Sequence, residues 1–329
     1  MRSPVLEIIR EAKLEKADSY KILTFPTHER YETQLCKTGH EFYAFTSEGQ
    51  KKWDVAYADL PDNYYILPEG TIFGAIPFDA ILSQSKFGQF QIAQQLQQAL
   101  GVPIISLEHT LPIPDWPQGQ KESMASMVGQ ENIFISEYSR REWGVKAPVK
   151  SSVIHHSVDS SLFKPSSVEK KPYALSVVND FKNRDYCCNY SGWQRVTDSI
   201  ETKVVGSCSE GLSEPAPSIE ALVNEYNSAQ VFLNTSTVSP VPTSLLEAMS
   251  CGCAVVTTAT CMIPEIIVNG ENGFMSNDEA ELKGYIEQLF SDENLRTKLG
   301  KAARETILNN FSEKDFINNW NDTFDGVLK

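Results

Sequence analysis

Positive charge is scarce in this sequence, and long apolar runs are missing. Its 329 residues carry 43 acidic against 29 basic side chains, for a formal charge of -14. That balance argues against a chain whose main task is coating nucleic acid, because neutralising phosphates needs clustered Lys and Arg. A local basic groove stays open. No stretch approaches the roughly 18 consecutive apolar residues of a membrane helix, so no transmembrane segment is expected. The opening residues, MRSPVLEIIREAKLEKADSYK, alternate charge with apolar side chains and lack the apolar core of a signal peptide. Cys-x-x-Cys spacing is absent, and the seven cysteines (36, 187, 188, 208, 251, 253, 261) are odd in number. They read as reduced, mostly buried residues of a cytoplasmic protein. There is no Gly-x-Ser-x-Gly elbow, no Gly-x4-Gly-Lys phosphate loop and no Gly-x-Gly-x-x-Gly turn. His155 and His156 are adjacent rather than four apart and no carboxylate cluster accompanies them, so no metal site is expected.

Present instead are short apolar strands alternating with helical segments. Strands are expected at 21–25, 79–83, 102–107, 132–136 and 151–154, with helices over 89–100 and 137–143. Residues 158–172, VDSSLFKPSSVEKKP, are polar and turn-rich and read as a linker. The pattern then restarts, with strands at 173–178, 202–205, 230–234 and 254–257 and helices at 218–227 and 243–250. Helical stretches over 279–290, 293–309 and 312–328 close the chain. Strands separated by helices imply a parallel sheet covered on both faces. The length suits two such domains of about 150 residues each. Two doubly wound halves would hold a ligand in the cleft between them, at the carboxyl ends of their strands.

Within SPVPTSLLEAMSCGCAVV, Thr243 and Ser244 stand at the start of a helix directly after the Pro240/Pro242 loop. The free N–H groups and positive dipole end there suit a phosphate. Glu247, one turn on, would lie beside whatever that phosphate carries, and a carboxylate can accept two hydrogen bonds from a ribose diol. The plainer alternative is a capping serine and a solvated glutamate.

The block SLLEAMSCGCAVVTTATCMIPEIIVNGENGF resembles the donor-nucleotide half of a GT-B glycosyltransferase, and within that fold retaining glycosyltransferase family 4 (glycosyl transferases group 1). NIFISEYSRREW, SSVIHHSVDSSLFKP, IISLEHT and the final FSEKDFINNWNDTF resemble further parts of the family, so the likeness runs from about residue 79 to 329. It implies an α/β GT-B fold of two Rossmann-like domains facing a central cleft. Residues 1–157, with the crossing C-terminal helix 312–329, would form the acceptor side, and residues 158–311 the nucleotide-sugar side.

Matched position by position, the resemblance makes Glu247 the second glutamate of the family's Glu-x7-Glu motif, the ribose ligand. The first falls on Ser239, and Pro240 and Pro242 replace the family's glycines, which removes backbone N–H donors. Of the basic pair that neutralises the diphosphate, Asn179 stands at the arginine position and Arg184 at the lysine position, with Lys182 nearby. Arg184 suits a phosphate because its fork engages two oxygens. His109 matches the family's histidine facing the donor sugar, while His155 and His156 occupy a linker motif and read as structural. Thr27 and His28, after the first strand, are acceptor-side candidates.

The implied activity is transfer of a sugar from a nucleotide-diphosphate donor, with UDP the expected nucleotide, to an unknown acceptor. Retention and metal independence are implied too, with no cofactor. The acceptor could be a glycan, a lipid-linked sugar, a protein or a modified nucleic-acid base. Two alternatives stand beside it. One is a degenerate non-catalytic nucleotide-sugar-binding module, suggested by Ser239 and Asn179; the other is a GT-B sugar-nucleotide epimerase, which would want an additional acid/base pair.

Overall fold

The computed structural model describes residues 19–49, 51–55, 57–69, 76–208 and 211–329. The expected absence of a signal sequence falls on residues 1–18, outside the described residues. Among the described residues, the first seven strands and four helices are β1 (Lys21–Thr24), α1 (Glu29–Cys36), β2 (Glu41–Ala44), β3 (Tyr64–Ile66), β4 (Ala80–Ser83), α2 (Gln89–Leu100), β5 (Ile104–Glu108), α3 (Gln118–Ala125), β6 (Glu131–Phe134), α4 (Glu137–Trp143) and β7 (Ser151–Val153). The second half holds β8 (Lys171–Val177), α5 (Asp185–Cys188), α6 (Tyr190–Val196), β9 (Thr202–Val205), α7 (Ile219–Ser228), β10 (Ala229–Asn234), α8 (Thr243–Ser250), β11 (Ala254–Thr257), α9 (Ile263–Ile266), β12 (Phe274–Met275), α10 (Glu279–Ser291), α11 (Glu293–Asn310) and α12 (Glu313–Leu328).

The strands form two sheets, β3-β2-β1-β4-β5-β6-β7 and β12-β11-β10-β8-β9, and every pairing is parallel. The central strands β4, β5, β10 and β11 are buried along nearly their whole length, as parallel strands covered on both faces are, while the edge strands β3 and β7 are partly exposed. Strand order reverses between β1 and β4 in the first sheet and between β8 and β10 in the second. Those switch points are where crevices open at the carboxyl ends.

Boundaries moved where a side chain found backbone to bond. Ser136 leaves β6 because its hydroxyl caps α4, accepting from the Ser139 N–H at 3.0 Å. Ser312 likewise caps α12 rather than joining it. The elements unassigned from the sequence, including α1, β2 and β3, are short or lack a clean period.

α12 crosses back onto the first sheet's side. Trp320, fully buried, donates from Nε1 to the Tyr31 hydroxyl at 3.0 Å, and Asp325 accepts from Tyr20 at 2.7 Å. At the start of this crossing the Val158 N–H bonds the Phe311 carbonyl at 3.1 Å, so both passages between the sheets lie side by side. The Cys251-Gly252-Cys253 connection is short because Gly252 takes a left-handed φ of 72°. α11 packs directly over it: a Cβ on Gly300 would sit 2.2 Å from the Gly252 carbonyl oxygen. No helix among the described residues is long and apolar enough to cross a membrane.

Candidate active site

The second sheet's side of the cleft grows from the turn between β10 and α8. After Asn234 the chain crosses to the turn that follows β8, where the Thr237 N–H bonds the Cys187 carbonyl at 2.8 Å and the Thr235 hydroxyl bonds that of Cys188 at 3.1 Å. α8 then begins at Thr243 as the spacing predicts. Pro242 occupies its N-cap position, and no side chain caps it, whereas Ser218 caps α7 and Ser136 caps α4. Thr243 and Ser244 are half-buried at that uncapped end.

Glu247 is not a solvated helix residue. It is 5% exposed, and both of its oxygens are engaged. Oε2 accepts from the Tyr226 hydroxyl of α7 at 2.7 Å, and Oε1 forms an ion pair with Arg30, which reaches across from the first turn of α1. Neighbouring Glu247 holds the Arg30 guanidinium above its ordinary pKa.

The other residues named on this side are more dispersed. Arg184 is exposed, at the cap position of α5, in the turn that carries the Cys187 carbonyl. Lys182 is exposed on the same turn. Asn179 carries no charge here and is committed elsewhere: its Oδ1 accepts from the Ser207 N–H at 2.9 Å and ties the loops after β8 and β9 together. Ser239 is half-buried in the loop before α8.

The first sheet's side gathers three histidines around Tyr31. The ring of His109 stands 4.6 Å and that of His156 5.0 Å from the Tyr31 ring, both edge-to-face, and His28 lies 6.1 Å from His109 and 6.2 Å from His156. His28 caps α1, its Nδ1 accepting from the Tyr31 N–H at 3.3 Å. This removes one nitrogen from the ligand-contacting role expected of it. Thr27 is committed more fully: its hydroxyl donates to the Phe25 carbonyl at 2.9 Å and accepts from Gln89 at 2.8 Å, which makes it a brace of its loop. His109 contacts Gln84 through Nε2 at 3.2 Å, while its Nδ1 is buried without a hydrogen-bond partner.

Burial depresses all three imidazoles, aided by the positive charge or ring of neighbours. His28 is lowered by burial and then by Lys51, His109 falls well below its ordinary value, and His156 drops to about 3. They are therefore neutral near pH 7. Among the described residues no group of three or more His, Cys, Asp or Glu could hold a metal ion.

Between the two sides lies a cavity of about 390 Å³. Of the residues named from the sequence, His28, Thr243 and Glu247 line it. Arg30, Tyr31, Tyr57 and His156 line it as well, and were not foreseen as site residues. His156 had the reading of a linker residue; the chain following β7 instead carries it into the cleft. Nothing in the spacing of THERYE marks Arg30, since its partner is 217 positions away.

Residues 216–306 match the family model described as Glycosyl transferases group 1. N-acetyl-alpha-D-glucosaminyl L-malate synthase of Bacillus anthracis is 31% identical over 87 residues, which are 26% of this chain and 23% of that protein. Alpha-maltose-1-phosphate synthase of Mycolicibacterium smegmatis is 33% identical over 94 residues, covering 26% of this chain and 24% of that one. The matches thus span about a quarter of the curated relatives. Sucrose-phosphate synthase from Thermosynechococcus elongatus superposes with a TM-score of 0.74 at 13% identity, over 93% of this chain and 98% of the other. Anabaena HepE in complex with UDP-glucose gives 0.72 at 14%, over 93% and 100%. The fold is therefore GT-B, with α12 closing back onto the side of the first sheet.

Proposed function

We propose that this protein transfers a sugar from a nucleoside-diphosphate sugar, UDP-linked, to an acceptor, with retention and without a bound metal. The observation that carries the reading is Glu247, a buried carboxylate one turn from an uncapped helix N-terminus inside an interdomain cavity. Its fit to a ribose diol follows from its acceptor-only chemistry. The N–H groups at Thr243 and Ser244 would take a phosphate of the donor, with Arg184 as the leaving-group cation and Lys182 beside it. His109 would hold the sugar by a neutral ring nitrogen, and Ser239 would offer one uncharged hydrogen bond. A cytoplasmic setting suits the free cysteines. UDP-glucose bound to a protein of the same fold, HepE, supports the choice of nucleotide.

Asn179, spent on the Ser207 N–H, favours one rival: a nucleotide-sugar-binding module without turnover. A panel of nucleotide sugars separates the two. The expected result is stabilisation of about 2.7 kcal/mol by the matching donor at a hundred times its Kd, together with slow acceptor-free hydrolysis. Stabilisation with no hydrolysis and no transfer would favour the module, and no stabilisation by any nucleotide would refute both.

A further inference from the structure

Arg30 has a loose end. Its guanidinium pairs with Glu247 through Nη1, while its Nε is buried with no hydrogen-bond partner. Arginine is charged at every accessible pH and only donates. A buried donor of a charged group left unsatisfied is costly and calls for a reason. The backbone that carries Arg30 is held firmly. His28 caps α1, the Glu32 carboxylate accepts from the Thr27 and His28 N–H groups at 3.0 and 3.2 Å, and Tyr31 is clamped by Trp320. Any change of partner therefore falls to the side chain rather than to the helix. The other long cation of the cavity wall, Lys37, is already paired with Asp159 at 3.5 Å and with Glu313. Arg30 and Thr243 line the same space, so a guanidinium and a helix N-terminus bracket it.

Glu247 imposes the complementary condition. Its side chain is 7% exposed, and a buried carboxylate stripped of its cation needs replacement donors. Tyr226 supplies one and two ribose hydroxyls would supply the rest. We infer that Arg30 is a donor-exchange residue: it holds Glu247 while the cleft is empty and moves to the diphosphate when the ribose diol takes the carboxylate. The inference rests on the donor-site reading of Glu247. It adds a positioning role for the first domain in nucleotide binding, with the vacant Nε as the point that an anionic phosphate oxygen would fill.

The test is calorimetric titration of UDP and of uridine into wild type, Arg30→Met and Arg30→Lys, with GDP/guanosine and ADP/adenosine in parallel. Arg30→Met is expected to bind the nucleoside at least as well as wild type, because Glu247 no longer has to be released. Its binding of the diphosphate weakens, and the diphosphate-to-nucleoside affinity ratio falls about tenfold or more, the scale of one hydrogen bond to a charged group. Arg30→Lys keeps the charge but lacks Nε and restores part of that ratio. Should the Met variant fail to fold, the Lys variant alone must still show a ratio below wild type. An unchanged ratio in a wild type that binds the nucleotides makes Arg30 an interdomain strut and overturns the inference. A wild type that binds none of the nucleotides defeats the donor-site reading itself, and this inference with it.

Discussion

On the second sheet's side, Ser239, Thr243, Ser244 and Glu247 come from one contiguous stretch, the turn from β10 into α8, with Arg184 and Lys182 added from the turn after β8. The face opposite is collected from five places: the loop after β1, α1, the loop after β4, the residue after β5 and the chain beyond β7. Asn234 through Glu247 are fourteen consecutive positions whose geometry follows from one strand end, one proline-bounded loop and one helix start. Tyr31, His28, Gln84, His109 and His156 meet only because the first sheet and α12 bring them together. Contiguous sites tolerate damage elsewhere in the fold, whereas gathered sites share its fate.

The comparison can be broken most forcefully at Trp320. Replacing this fully buried side chain with Ala removes the bond to Tyr31 and leaves a cavity, at about 3–5 kcal/mol. Denaturant unfolding should show that loss, and hydrogen exchange should rise around α1 and β5 more than around α8. Equal change on both faces would contradict the distinction. Gly300→Ala strikes the other side. Its Cβ would meet the Gly252 carbonyl at 2.2 Å, so α11 must shift off the α8–β11 turn, costing about 1–3 kcal/mol. Exchange should then rise within the second domain and leave the three-histidine cluster protected.

A smaller effect, spread over pH, sharpens the contrast. The folded-state pKa of His156 is lowered to about 3 from an ordinary 6.5, chiefly by burial, and those of His28 and His109 are lowered too. Below pH 6.5 the unfolded chain binds protons that the folded chain refuses. Stability should therefore be full above that value and fall as pH drops toward 3, by up to ~1.4 kcal/mol per pH unit per histidine. His156→Gln should flatten part of that acid limb in a pH series of unfolding midpoints; an unaltered limb would place the proton uptake elsewhere.

Much of this fold was legible before any coordinates. α4, β9 and β11 begin and end where their residues predict, and α8 runs from Thr243 to Ser250 as expected, because apolar period and turn chemistry agree there. The uncapped start of α8 and the position of Glu247 were equally local. Arg30 and Tyr226 were not legible: both reach Glu247 through tertiary contacts, and neither sits at a spacing that marks it. His156 read as a structural linker residue, and its sequence neighbourhood does not show that it also lines the cleft and packs against Tyr31. Asn179 read as a charge lost from the site, and the structure shows what it does instead, holding two strand-end loops.

The claim most exposed to experiment is that the Glu247 carboxylate receives a ribose diol. Titrating UDP and 2′,3′-dideoxy-UDP into wild type and Glu247→Gln tests it in one cycle, since the substitution keeps shape and removes charge. The account predicts a loss of about 1–3 kcal/mol for UDP and little for the dideoxy nucleotide, which already binds the wild type poorly. Equal losses for both nucleotides, with the fold intact, would make Glu247 a structural partner of Tyr226 and Arg30 and contradict the assignment of this cleft to a nucleotide donor.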